Sequence, residues 1–304
     1  MPWTASLQGV TDSTLREPYA VLDEATRARR QRIPVTPRVL RLASALWETS
    51  SLLLLDRAEA IAVDPGVTQP EVETIRERAR SEGVQVVAVV ATHGDFDHVA
   101  GIASFPDAEA VMGPRAADRV ASGAALRDMA EQGAALGLSW PGPPRCDRIL
   151  RVGRGEIVGP FAIETMKLDG HTDDGIGLRL REPDALIVGD YLSPIEYPFV
   201  YHSTVAYRST LAGLADLLRR DPPALVFPGH GAPLDAARAL EIAESDLDYL
   251  HALRLAVAGS IEAGSDREAA LQAGLAVPTP RSLPVDPSES RRNAERQFEE
   301  LVAC

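Results

Sequence analysis

Apolar residues recur along this chain in two periods, and the switches between them mark its elements. Val39–Ala45, Ser51–Leu55 and Ala60–Val63 are short apolar runs separated by turns at Glu48-Thr49-Ser50 and Asp56-Arg57, which predicts an antiparallel meander. Pro70 then opens a helical stripe of Val72, Ile75 and Ala79, and Gly83 stops it. The Val-rich run 86–91 returns to strand, and Val99-Ala100-Gly101-Ile102 reads as the opening of a helix. Ala108–Met112 predicts a short strand, Ala116–Leu136 a helix, and Trp140-Pro141-Gly142-Pro143-Pro144 a rigid loop. Strand-like runs resume at Ile149, Ile157, Phe161–Met166, Ile176–Leu178 and Ala185–Val188, a second series that mirrors the first. Thr210–Arg219 predicts a helix with Leu211, Leu214, Leu217 and Leu218 inward, and Ala224–Phe227 a last strand. Residues 234–262 predict a long helix, and shorter helical segments flank the Pro-rich stretch 278–287.

This pattern divides the chain into an N-terminal extension over 1–37, a main domain over 38–235, and a C-terminal helical segment over 236–304 packed on the same domain. Within the extension, residues 18–32 can form one helix, with Pro18 first and Val21, Ala25 and Ala28 at helical spacing. It would pack on the main domain or on a second subunit in a homodimer, or form a loose tail.

The chemistry gathers where strands end. Thr92-His93-Gly94-Asp95-Phe96-Asp97-His98 places four cation-binding side chains in one strand-to-helix turn. Three later turns each carry another after an apolar run: Gly170-His171, Gly189-Asp190 and Gly229-His230. Four of the six histidines sit in these turns, a concentration that a metal site explains.

In this order of motifs the chain resembles the metallo-β-lactamase-fold hydrolases, a superfamily that includes glyoxalase II and related esterases and lactonases. His93, Asp97, His98, His171, Asp190 and His230 match its signature in sequence order, and Asp64-Pro65-Gly66 matches another recurrent turn. The resemblance spans residues 38–255, and Asp95 departs from it by standing where most members carry a second histidine. It implies an α+β fold, a four-layer αββα sandwich with added C-terminal helices. It also implies two divalent metal ions: His93, Asp95 and His171 would hold one, Asp97, His98 and His230 the other, and Asp190 would bridge them. Zinc is the expected metal, with iron or manganese as substitutes favoured by the carboxylate at Asp95. A metal-bridging hydroxide would then cleave a small ester, thioester or lactone, with catalytic roles for Asp97 and Asp190. Two alternatives stand beside this: a diiron redox protein related to flavodiiron proteins, and a non-catalytic ligand-binding member of the fold.

Composition narrows the partners. A net charge of −13 argues against nucleic acid and anionic membranes, leaving a small-molecule substrate. The two cysteines, Cys146 and Cys304, make no disulfide framework, and no signal-like or membrane-length apolar stretch is present, so the expected location is cytoplasmic. Lys167 is the single lysine, and nothing around it suggests a nucleophile.

Tyr191, Tyr197, Tyr201 and Tyr207 crowd the stretch after Asp190, together with His202. They either line a substrate pocket, with His202 as a proton donor, or pack against neighbouring helices. Asp173 and Asp174 read as caps or supports to the ligands, and His251 as structural.

Overall fold

Four consecutive leucines in Ser50–Asp56 face both sides of a sheet and are buried on both, which places that strand inside the fold. A computed structural model describes residues 38–281 and 287–303; the helix expected over 18–32 and part of the Pro-rich stretch lie outside the described residues. By contacts the chain forms two compact units, one running to Thr165 and including Arg179–Pro183, the other comprising Met166–Leu178 and the residues from Asp184 onward.

In the first unit, β1 (Arg38–Ala43), β2 (Ser50–Asp56) and β3 (Glu59–Val63) form the expected antiparallel meander. β4 (Gln85–Ala91), β5 (Glu109–Met112) and β6 (Arg148–Ile149) continue the sheet in parallel, and its six strands lie in chain order. Parallel neighbours need a crossover, and α1 (Gln69–Glu82) supplies the one between β3 and β4. Glu71 fixes its start: the buried carboxylate accepts from the Thr68 N–H at 3.0 Å and from Ser44 Oγ and Ala45 N at 2.9 Å each.

Two boundaries differ from the pattern. The helix after the histidine motif begins earlier, as α2 (Phe96–Val99), followed by a 3₁₀ turn over Ala100–Ser104. Asp95 therefore occupies the N-cap position, and Asp97 and His98 project from the first turn. The helix expected over 116–136 is two, α3 (Pro114–Ala121) and α4 (Ala124–Leu136), because Gly123 breaks it in a left-handed conformation at φ 72°. Val89, Ala91, Val99, Ile102, Met112 and Met129 belong to the core between these elements.

The second sheet orders its strands β11-β10-β9-β8-β7, from β7 (Gly155–Val158), β8 (Phe161–Lys167), β9 (Ile176–Leu180) and β10 (Ala185–Ile187) to β11 (Leu225–Phe227). β7 and β8 are an antiparallel hairpin, and β10 and β11 pair in parallel. The unit boundary passes through β8 and β9.

The second unit adds α5 (Thr204–Arg220), α6 (Ala236–Glu262), α7 (Arg267–Leu275) and α8 (Pro287–Val302). α5 starts six residues before the apolar stripe announces it, because Ser203 Oγ caps it by accepting from Ala206 N at 3.1 Å. Leu211, Leu214, Leu250, Leu253, Leu271 and Ala294 are buried in the core these helices share. Among the described residues, no helix is long and apolar enough to cross a membrane.

Candidate metal centre

The ligand-capable side chains fall into two sets, one in each unit. In the first, β4 ends at Ala91 and hands the chain to Thr92 and His93, while α2 carries Asp97 and His98. The two imidazole rings lie 4.0 Å apart between centroids. Asp64, at the end of β3, organises both. Its Oδ1 accepts from the Thr92 N–H at 2.8 Å, and its Oδ2 accepts from Thr92 Oγ1 at 2.8 Å and faces His98 Nδ1 at 2.9 Å. A carboxylate only accepts, so the His98 proton sits on Nδ1. Thr92 Oγ1 spends its own proton on Asp64 and therefore accepts from His93 Nδ1, 3.1 Å away. Both rings thus keep their lone pairs on Nε2. These nitrogens face carboxylates: His93 Nε2 is 3.6 Å from Asp95 Oδ2, and His98 Nε2 is 3.5 Å from Asp97 Oδ2. Thr49 Oγ1 donates to that same Asp97 oxygen at 3.0 Å.

Asp95 divides its carboxylate. Its Oδ1 accepts from Arg119 Nη1 on α3 at 2.7 Å, while its Oδ2 turns toward His93. Arg119 also lies 3.8 Å from Asp128, whose Oδ2 accepts from the Phe96 N–H at 3.1 Å. Burial, reinforced by the charge of Asp95, lifts the Asp128 carboxyl to about 6. Asp64, Arg119 and Asp128 carry no role in the sequence reading; only the turn at Asp64-Pro65-Gly66 pointed toward one of them.

In the second unit, His171, Asp190 and His230 come together. Asp190 Oδ2 lies 3.1 Å from His171 Nε2 and 3.2 Å from His230 Nε2. The glycines before the two histidines are required by close approach. A Cβ at Gly170 would sit 2.3 Å from the backbone of Tyr207, and one at Gly229 would sit 2.2 Å from Asp190 Oδ1. His171 Nδ1 donates to the Phe199 carbonyl at 2.7 Å, so its lone pair is again on Nε2, toward Asp190. His230 Nδ1 faces Glu196 Oε1 at a looser 3.7 Å.

The tyrosines do not sit as a pocket wall would. Tyr191, Tyr197 and Tyr207 are buried. Tyr191 Oη accepts from the His171 N–H at 3.0 Å, and Tyr207, which lies on α5, donates to the Asp190 carbonyl at 3.2 Å. Burial pushes both phenols well above their usual range, which keeps them protonated. Tyr197 packs edge-on against Phe199 and Tyr249. A ring enclosed by protein has no face for a substrate; Tyr191 and Tyr207 brace the turns of His171 and Asp190, and Tyr197 packs among neighbouring rings. Tyr201 is half-buried, 5.0 Å from the His171 ring between centroids. His202 is exposed, with Nε2 3.7 Å from Asp169 Oδ1. Asp174 is buried, and His251 is exposed on α6.

These donors suit divalent cations. A nitrogen lone pair and a carboxylate oxygen held 3.1–3.6 Å apart repel unless a cation or proton lies between them, and the histidine protons are engaged at Nδ1 in three of the four rings. Imidazole with carboxylate is also the ligand mixture that zinc, iron and manganese share.

Comparison with known proteins agrees with this chemistry. The sequence model of the metallo-beta-lactamase superfamily matches residues 46–230. No curated protein matches the chain. Among solved structures, a metallo-beta-lactamase family protein from Thermus thermophilus superposes with a TM-score of 0.65 at 18% identity, covering 88% of this chain and 93% of that one. The sec-alkyl sulfatase PisA1, as a double mutant, gives 0.68 at 13% identity, covering 88% of this chain and 50% of that one. A protein in a di-iron-bound form gives 0.53 at 22% identity, covering 67% and 98%.

Proposed function

This chain belongs to the metallo-β-lactamase superfamily, whose members are largely metal-dependent hydrolases, and on that premise we propose that it is a binuclear metal-dependent hydrolase of small esters, thioesters or lactones. In this reading His93, His171 and Asp190 would hold one ion, with Asp95 as a further ligand, and Asp97, His98 and His230 would hold the second, with Asp190 also within its set. The observation that carries the proposal is the matched pinning of histidines. In each unit a neighbour fixes the imidazole proton on Nδ1 and turns Nε2 toward a carboxylate. Such outer hydrogen bonds are how ligating histidines are oriented and made more basic.

When bound, the ions supply an acidified water and a Lewis acid for the substrate carbonyl. The protein's own residues do the rest. Asp97, steadied by Thr49, orients the attacking water, and the buried Asp64 keeps His98 in the ligating tautomer. Tyr191 and Tyr207 hold the backbone of His171 and Asp190 in place. Zinc fits the donor set best, and the carboxylate at Asp95 widens the choice to iron or manganese, in keeping with the di-iron form of one structural neighbour. The net charge of −13 favours a small substrate over a polyanion.

Elemental analysis of the purified, metal-reconstituted protein tests the centre, and a substrate panel tests the reaction. Two ions per chain, falling to one in Asp95→Ala, with turnover of at least one thioester, ester or lactone, is the expected result. An unchanged count in Asp95→Ala removes that residue from the ligand set. A wild-type protein that retains no stoichiometric metal, or that turns over only phosphodiesters, alkyl sulfates or β-lactams, overturns the proposal.

A further inference from the structure

His171 is enclosed by a strap of its own unit. The N–H groups of Tyr201 and His202 donate to the His171 carbonyl at 2.9 and 3.0 Å, and that of Ser203 donates to the Gly170 carbonyl at 3.1 Å. The strap's Phe199 carbonyl takes the Nδ1 proton at 2.7 Å. The direction of that one carbonyl therefore decides which nitrogen of His171 is left to bind a cation.

The strap has no regular secondary structure to hold its carbonyls in direction, since residues 197–203 belong to neither strand nor helix. What holds it is α8. Asn293, wholly buried, straddles Phe199: its Nδ2 donates to the Pro198 carbonyl at 2.7 Å and its Oδ1 accepts from the Val200 N–H at 2.8 Å. Its second amide hydrogen reaches Tyr249 Oη at 3.2 Å, so every polar group of the side chain is used. Gripping the carbonyl before Phe199 and the N–H after it fixes the peptide planes on either side of that residue. Further contacts repeat the grip. Ser290 Oγ meets Tyr197 Oη at 2.9 Å, Arg296 donates to the Tyr201 carbonyl at 2.8 Å, and Glu300 accepts from Ser203 Oγ at 2.6 Å and Thr204 N at 3.0 Å. Arg292 lies over the Tyr201 ring at 4.5 Å, and that ring lies against His171.

We propose that Asn293 is a positioning residue for the metal centre: through the Phe199 carbonyl it holds His171 in the Nδ1–H tautomer, with Nε2 turned to the cation. The inference rests on the binuclear reading for its purpose, but its geometry lies wholly within the second unit. A side chain that served folding alone would be replaceable by any change costing the same stability. A positioning residue would not.

The test compares Asn293→Asp with Leu271→Ala in the full-length protein. Asn293→Asp preserves size and the acceptor for Val200 but sets an oxygen against the Pro198 carbonyl. Leu271→Ala weakens the same helical layer from a wholly buried site that touches no part of the strap's hydrogen bonding. The first readout is the tautomer of His171 in metal-free protein, from the ¹⁵N shifts of its imidazole. The second is zinc affinity of the reconstituted protein by chelator competition. Asn293→Asp should mix the two tautomers and weaken the tighter-held zinc about tenfold, the low end for losing an outer support of a ligand. Leu271→Ala should lower the melting temperature while leaving both readouts as in wild type. Wild-type tautomer and affinity in Asn293→Asp, or equal losses in Leu271→Ala, overturn the inference. If wild type bound no zinc, the functional reading would fall while the tautomer measurement still decided the role of Asn293.

Discussion

Asp64→Asn is the sharpest single perturbation of the first ligand set, because it exchanges one oxygen for an NH₂ at nearly constant volume. Asp64 is buried and serves three donors: the Thr92 N–H, Thr92 Oγ1 and His98 Nδ1, all within 2.9 Å. The new amide oxygen can satisfy one side of that group. Its NH₂ must then face the other, and the stable choice keeps the oxygen on the Thr92 backbone. A donor opposite His98 Nδ1 moves the imidazole proton to Nε2, where it points at Asp97 and occupies the lone pair a cation needs. Loss of a charge-assisted hydrogen bond costs folding about 1.5–3 kcal/mol. Loss of the outer carboxylate should weaken metal binding about 10–100-fold, equivalent to roughly 1.4–2.8 kcal/mol. Thermal melting of metal-free protein reads the first effect and chelator competition on the loaded protein the second. A lower melting temperature with metal affinity within about twofold of wild type would make Asp64 a strut between β3 and the motif and nothing more, refuting the tautomer argument.

Two further expectations come from the second unit. Tyr197→Ala removes a buried ring packed against Phe199 and Tyr249, and should cost about 3–5 kcal/mol in urea unfolding; a loss confined to kcat/KM for bulky substrates, at native stability, would restore the pocket role. Burial lifts the Asp246 carboxyl from its ordinary 3.8 to about 7, against the opposing pull of Arg281. The folded state then holds that proton more tightly than the unfolded chain between about pH 4 and 7, so this contribution to stability is full below pH 4 and disappears as pH rises through 7. Asp246→Asn should flatten the slope of melting temperature against pH over that window, and an unchanged slope would show that Arg281 keeps the group ionised throughout.

Most of the strands, and the strand-end turns that carry His93, His171, Asp190 and His230, were legible because they depend on local patterns. Alternating or continuous apolar runs mark β2, β3 and β4, and the glycines before His171 and His230 mark turns where a side chain would collide with backbone or with Asp190. The tyrosines left two readings open because aromatic density near a candidate ligand looks alike whether the rings face solvent or protein. What separates the two is α8, whose contacts to the strap come from residues 93–97 positions away. The start of α5 was hidden for a different reason. Its first turn is set by the Ser203 cap, while the leucine stripe begins only at Leu211. Arg119 gave no signal at all, since nothing local tells an arginine on an amphipathic helix that its partner is Asp95.

The reach of α8 also bears on the order in which the molecule assembles. The pins of the first ligand set join residues close in sequence: 28 positions separate Thr92 from Asp64, 34 separate His98 from Asp64, and 48 separate Thr49 from Asp97. Val200 waits for a residue 93 positions downstream. Contacts of long sequence separation form late, because more chain entropy is surrendered before they close. A chain made from its N-terminus outward would therefore set His93 and His98 before anything fixed His171. Pulsed hydrogen exchange during refolding should find the Thr92 amide protected ahead of the Val200 amide, and the reverse order would contradict this sequence of events. On this course the strap around His171 is the later of the two to be fixed, and α8 is what fixes it.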